Sequence, residues 1–156
     1  MRDEVRDFLD SLARCREEIS LCQTRIRELE NAATRITTAW RDAPGGGGDV
    51  HRDGTLAALA DQKQKLLDRE VRYAEQMMAV TEFIGRVSST TYRAILTLRY
   101  VRQLPWPALT EALKKDFGIY YSERQVTRLH GRALAEARRI WAEEHKEEET
   151  DVQKPD

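Results

Sequence analysis

Apolar residues recur at alternating spacings of three and four positions along the first 40 residues. This heptad spacing predicts a long helix with one narrow apolar stripe, because residues three or four apart share a helix face. Polar and charged residues occupy the positions between, so we expect the opposite face to lie in water. The stripe comprises Val5, Phe8, Leu12, Cys15, Ile19, Cys22, Ile26, Leu29, Ala33, Ile36 and Trp40.

A second long helix is predicted by similar spacing after residue 55, with Thr55 as its expected N-cap. Residues 41–55 contain Pro44 and four consecutive glycines, which predict a flexible turn. Residues 1–87 are therefore predicted to form a long antiparallel helical hairpin resembling a coiled coil. The apolar stripe of its second helix comprises Leu56, Leu59, Leu66, Tyr73, Met77, Val80, Ile84 and Val87.

The second helix carries a further apolar edge that one hairpin cannot cover. This edge predicts a homodimer through residues 1–87. The alternative is a monomer in which the C-terminal domain folds back over the edge. The edge consists of Leu67, Val71, Ala74 and Met78.

Residues 88–142 predict three shorter helices. The first follows a Ser/Thr-rich stretch at 88–91, which offers N-caps. Pro105 and Pro107 place the start of the second, since proline is tolerated in the first turn of a helix and not in its interior. That helix is expected to end at Gly118. Ser122-Glu123-Arg124-Gln125 fits a capping box that would start the third helix, expected to continue to about Trp141.

The chain as a whole is thus predicted to be all-α, with a hairpin followed by a three-helix, helix-turn-helix domain. Its formal net charge of -1 hides an uneven distribution. Residues 86–141 hold 11 basic and 4 acidic side chains, whereas residues 142–156 hold 2 and 7. The basic segment is typical of a surface that meets phosphates, and the acidic segment 143–156 is expected to be a disordered tail.

The outer face of the third helix is rich in arginine. At 100° per residue, Arg124 and Arg128 lie opposite its apolar stripe, which includes Val126. A helix-turn-helix places the first turns of its second helix at base edges in the major groove. We therefore expect base contacts from Arg124, Gln125, Thr127 and Arg128, and phosphate contacts from Lys114, Lys115, Arg132 and Arg139. Gln125 is ambiguous because the capping box could occupy it. His130 lies nearer the apolar stripe and is expected at the edge of the core.

No catalytic constellation is legible, since no Ser-His-Asp or Cys-His arrangement is present and the carboxylates lie on solvated helix faces. Cys15 and Cys22 show no metal-ligand spacing to a histidine. We therefore expect no enzyme, no metal and no cofactor. No apolar run is long enough to cross a membrane, so a cytoplasmic protein bound to DNA is expected.

Residues 92–100, Trp106 and residues 122–134 together resemble the fourth region of sigma-70-type transcription factors. The whole organisation is also similar to a family of small phage and prophage proteins of Gram-positive hosts, catalogued as a domain of unknown function. That similarity is carried by Val50-His51-Arg52 after a Gly-containing loop, by Leu98-Arg99-Tyr100 and by Arg128-Leu129-His130-Gly131.

These resemblances imply a phage-type transcriptional regulator that binds duplex DNA through a sigma-like helix-turn-helix. The turn at 118–122 is longer than in sigma factors, and the regions that melt promoters have no counterpart, so a complete sigma factor is not implied. One alternative is an interaction protein that docks on host RNA polymerase without contacting bases. Another is a phage packaging component resembling a small terminase subunit.

Overall fold

The structure, a computed structural model, describes residues 2–42 and 49–152. The described residues are helical and contain no strand, which confirms the prediction of an all-helical chain. The helices are α1 (Glu4–Leu9), α2 (Ser11–Asp42), α3 (Asp49–Gly85), α4 (Thr90–Leu96), α5 (Trp106–Phe117) and α6 (Glu123–Val152), with a π-helical turn at Thr97–Val101 between α4 and α5.

The chain divides into two compact units. Arg14–Glu75 form the central unit, and Met1–Ala13 together with Gln76–Asp156 form the terminal unit. The sequence predicted a boundary between the hairpin and the C-terminal domain at residue 87. The structure instead divides the chain after residues 13 and 75, because residues 1–13 and 76–87 pack with the C-terminal helices. The stripe residues Val5, Leu12, Val80, Ile84 and Val87 are buried in the terminal unit.

In the central unit, the first part of α3 contacts α2. The thiol of Cys22 donates to the backbone oxygen of Gln62 at 3.4 Å, and Lys63 Nζ lies 3.5 Å from a carboxylate oxygen of Glu30. Cys22 and Ile26 are buried, and the other stripe residues of this unit whose side chains are described are half-buried except Leu56, which is 45% exposed. The side chain of Trp40 lies outside the described part. The predicted stripe on α2 is therefore confirmed for its described side chains, and Leu56 falls outside the stripe on α3.

The terminal unit holds a denser core. One cluster joins α4, α5 and α6, and each of its members is at most 4% exposed. A second group joins α1, α3 and α6 through rings, with the Phe8 centroid 5.5 Å from Phe83 and 5.0 Å from Trp141. The α4–α6 cluster consists of Ala94, Ile95, Leu98, Leu109, Leu113 and Val126.

Two predicted segments differ from the structure. The turn at 41–55 is shorter, because α2 continues to Asp42 and α3 begins at Asp49. Thr55 therefore lies inside α3 and does not cap it. The helix tolerates Gly54 at a cost of about 1 kcal/mol relative to alanine. The consecutive glycines lie outside the described residues, as do the side chains of the Val-His-Arg motif at 50–52.

The acidic segment also differs from its prediction. Helix α6 does not end near Trp141 but continues to Val152, and residues 153–156 lie outside the described part. The segment from 142 to 152 contains neither glycine nor proline and is rich in glutamate, a good helix former. Because the preceding turns of α6 are already fixed by packing, elongation needs no new nucleus.

Candidate nucleic-acid interface

Helix α6 begins at a reciprocal cap. The backbone N–H of Ser122 donates to Gln125 Oε1 at 2.9 Å, and the backbone N–H of Gln125 donates to Ser122 Oγ at 3.3 Å. The preceding helix α5 ends at Gly118, whose φ of 65° places it in the left-handed region that glycine adopts without strain. The capping box and the glycine stop are both confirmed. Together they fix the path of the chain into α6.

Four arginines lie on the exposed side of α6, which we call the arginine stripe: Arg124, Arg128, Arg132 and Arg139. The opposite side of the same turns is buried, with Val126, Ala133 and Ala137 at 0% exposure. Helix period alone therefore turns these arginines to solvent.

Within the described residues, Arg124, Arg128 and Arg132 form no ion pair. They lie one helical turn apart, about 5–6 Å along the axis. Three unneutralised guanidinium groups at this spacing repel one another, and an external anion would relieve that repulsion. Each also presents a planar fork of donors suited to a phosphate or to a guanine edge.

Arg138, on the same helix, differs from these arginines because its charge is neutralised by a carboxylate. It pairs with Asp3 at 2.6 Å, and this hydrogen-bonded guanidinium lowers the pKa of the Asp3 carboxyl. Glu136 accepts from both the backbone N–H and the hydroxyl of Ser88, at 2.8 and 2.6 Å. These contacts join α6 to the rest of the terminal unit.

Two of the four predicted base-contacting residues already have partners. The carboxamide oxygen of Gln125 is held in the cap, so only its amide nitrogen is available for an outside acceptor. The hydroxyl of Thr127 donates to the backbone oxygen of Glu123 at 2.9 Å. A bidentate contact of Gln125 with adenine needs both amide atoms, so the cap would have to open first.

The predicted phosphate-contacting lysines lie at the end of α5. Lys115 is exposed, whereas Lys114 is half-buried. Both fall in the last turn, where cations interact favourably with the helix dipole. Asp116 beside them is paired with Arg102 at 3.4 Å. The structure thus brings basic groups to the end of α5 and to the outer side of α6.

A buried polar stack lies on the inner side of α6. Tyr100 Oη is 2.9 Å from His130 Nε2, and the two rings are stacked with centroids 5.7 Å apart. The Trp106 ring meets His130 edge-on at 4.9 Å, and the Arg99 guanidinium lies 4.3 Å from the Trp106 centroid. The expectation of a histidine at the core edge is confirmed, since His130 is only 9% exposed.

Burial and the neighbouring cations Arg99, Arg6 and Arg138 lower the pKa of His130 to about 4. The imidazole is therefore neutral near pH 7 and accepts or donates one hydrogen bond with Tyr100. Burial raises the pKa of Tyr100, which stays protonated. The pair holds α6 to the π-helical turn without placing a charge in the core.

Sequence reasoning missed the π-helical turn that presents these side chains. Arg102 N–H donates to Thr97 O at 3.0 Å, five residues back, and Gln103 follows with a φ of 57°. The Arg99 guanidinium donates to Leu104 O at 3.0 Å and anchors the exit from the turn. The only available signal was the pair Pro105 and Pro107. These prolines predict that the helix before them ends, but not that its last turn is π-helical.

Among the described residues, no group of His, Cys, Asp and Glu is arranged to hold a metal ion. None of the helices in that part of the chain is sufficiently long and apolar to cross a membrane. No known protein family matches the chain, and no match was found among curated proteins or solved structures.

Proposed function

We propose that the protein is a phage-type transcriptional regulator that binds duplex DNA with α6 in the major groove. The arginine stripe carries this proposal. It is an exposed row of guanidinium groups on a helix whose opposite side is buried, and Arg124, Arg128 and Arg132 in it form no ion pair with the described residues. The short helix α5, the turn at 118–122 and α6 would correspond to the helix-turn-helix of sigma-70 region four.

The positions on the stripe divide the roles. Arg124 and Arg128 lie in the first two turns, where a recognition helix meets base edges, so they would contact guanine. Arg132 and Arg139 lie further along, and with Lys114 and Lys115 would contact phosphates. The antiparallel hairpin of α2 and α3 would form a homodimer, giving two reading helices on one duplex.

The test is selection of bound sequences from random duplex DNA, followed by titration of the selected site. Arg128→Ala should weaken binding by ~1–3 kcal/mol and relax the preference at one base pair. Arg72→Ala, which removes an exposed arginine from the central unit, is the charge-matched control and should leave affinity unchanged. Equal weakening on all sequences would make Arg128 a phosphate contact.

Salt dependence tests the electrostatic part separately. Each phosphate contact releases counterions, so log affinity should fall linearly with log salt concentration, and Arg132→Ala should reduce the slope by about one. Affinity that is constant between low and physiological salt would remove the basis for DNA binding. Co-purification with RNA polymerase without any shift of free DNA would instead favour the polymerase-docking alternative.

A further inference from the structure

Helix α3 is apolar on two sides, and only one of them is covered. Within the central unit, Leu66 and Tyr73 are half-buried on the side that contacts α2. Leu67 and Val71 are 55% and 59% exposed, and Ala74 is exposed in the same row. At 100° per residue this row lies about 80–160° around the helix from Leu66 and Tyr73. We call Ala60, Leu67, Val71 and Ala74 the outer row.

The outer row is self-complementary when two copies of α3 run antiparallel. With Leu67 on the twofold axis, Leu67 meets Leu67 of the second copy, and Ala60 lies opposite Ala74. Both alanines are seven residues from Leu67, so each pair lies at the same height. The small residues would let the two helices approach closely on either side of the central leucines.

The charges beside the row fit the same register. Lys63 lies four residues before Leu67 and Glu70 three after it, on the same flank. The twofold axis therefore brings Lys63 of one copy within about 1.5 Å, in height along the axis, of Glu70 of the other. Because the operation is symmetric, it forms two such opposite-charge pairs, while the two copies of Lys63 stay about 12 Å apart in height.

Lys63 can pair with Glu30 of its own chain and with Glu70 of the second copy at the same time. Its ammonium group lies 3.5 Å from Glu30 and its side chain is 55% exposed, so donors remain for a second carboxylate. A partner with an unrelated sequence would need a row of matching small and large residues and an opposite charge order, whereas a second copy supplies all of these.

We propose that the outer row of α3 is the self-association surface of the protein, with α3 packed antiparallel on α3 of a second copy and Leu67 on the twofold axis. This rests on the homodimer within the proposed function and is independent of DNA binding. Isologous contacts of this kind are the commonest route to soluble dimers.

The first test measures mass by light scattering or sedimentation of the full chain at micromolar concentration. The native protein should have the mass of two 18.1 kDa chains. Leu67→Glu should give a single chain with unchanged helical circular dichroism, and Arg72→Glu, exposed on α3 away from the outer row, should stay dimeric. A native monomer, or a Leu67→Glu dimer, would overturn the proposal.

The second test fixes the register by charge exchange. Glu70→Lys would place lysines opposite Lys63 and should weaken the dimer. The charge-exchanged variant Lys63→Glu with Glu70→Lys restores two opposite-charge pairs between the copies and should recover dimerisation. Because Lys63→Glu would set two carboxylates together at Glu30, this variant also carries Glu30→Lys, which keeps an opposite-charge pair between α2 and α3. Weakening in the charge-exchanged variant beyond that of Glu70→Lys would contradict the register.

The third test uses cross-linking in a chain whose own thiols are replaced, Cys15→Ser with Cys22→Ser. Oxidation of Leu67→Cys should give a disulfide-linked dimer, because residues on a twofold axis bring their Cβ atoms together. Val71→Cys, about 12 Å from its symmetry mate in height, should not. Linking at Val71 and not at Leu67 would refute the proposed register. Arg128→Ala should change neither result, so failure of this surface and failure of DNA binding are distinguishable.

Discussion

The central and terminal units are built from the same kind of helix, yet they bury their side chains very differently. Of the buried apolar residues in the described part of the chain, only Cys22 and Ile26 belong to the central unit. The terminal unit holds the other 18, including Leu109 and Ile95 at 0% exposure. Two helices can cover only one side of each other, whereas α4, α5 and α6 cross and enclose a core. The terminal unit thus encloses a core of its own, whereas the central unit leaves Leu67 and Val71 exposed.

The largest expected effect is a difference in the unfolding free energy lost when a leucine is truncated in each of the two units. Leu109→Ala deletes a fully buried side chain from the terminal core and should cost about 2–5 kcal/mol of unfolding free energy. Leu66→Ala, at a half-buried position in the central unit, should cost less because part of the side chain already meets water. Urea denaturation of both variants measures the difference. Equal losses would show that the central unit is packed as tightly as the terminal one.

Lowering the pH should destabilise the terminal unit, because His130 is buried there. The pKa of His130 is about 4 in the folded chain and ordinarily 6.5, so the unfolded state takes up a proton at a higher pH. Stability from this group is therefore complete above about pH 6.5 and falls as pH drops toward 4, by up to about 3 kcal/mol. Denaturation midpoints between pH 7 and 4 measure the loss.

His130→Phe is the control for that measurement. It keeps a ring beside Trp106 but removes the titrating group, so its stability should depend less on pH over this interval. It also removes the partner of Tyr100, which should lower stability at pH 7. A variant that retains the full pH dependence would place the effect on carboxylates such as Asp3.

The smallest expected effect concerns the start of α6. Ser122→Ala removes the oxygen that accepts from the Gln125 N–H and should cost about 1 kcal/mol. It keeps the backbone N–H that donates to Gln125 Oε1, so any DNA contact from the Gln125 amide nitrogen should be unchanged. Paired stability and DNA-titration measurements decide both points, with Ser122→Asp as the cap-preserving control. An unchanged stability would mean that the cap contributes nothing measurable.

The sequence by itself determined where α5 begins and ends and where α6 begins. Pro105, Gly118 and the Ser122–Gln125 box act through local backbone geometry and neighbouring hydrogen bonds, so their effects do not depend on the rest of the chain. The same holds for the arginine stripe, because the helix period alone sets Arg124 and Arg128 opposite Val126. Periodicity also found most of the apolar stripes, although it missed Phe83, which is 3% exposed.

Only the tertiary structure decided which partners those stripes have. Periodicity says that Val5 and Val80 are buried, but not that they join the terminal unit, since burial is non-directional and any apolar surface satisfies it. The Tyr100–His130 bond joins residues 30 apart and depends on a π-helical turn that no local signal marks. The helical end of α6 is likewise a product of the packed turns before it, because a polar segment continues a helix more readily than it starts one.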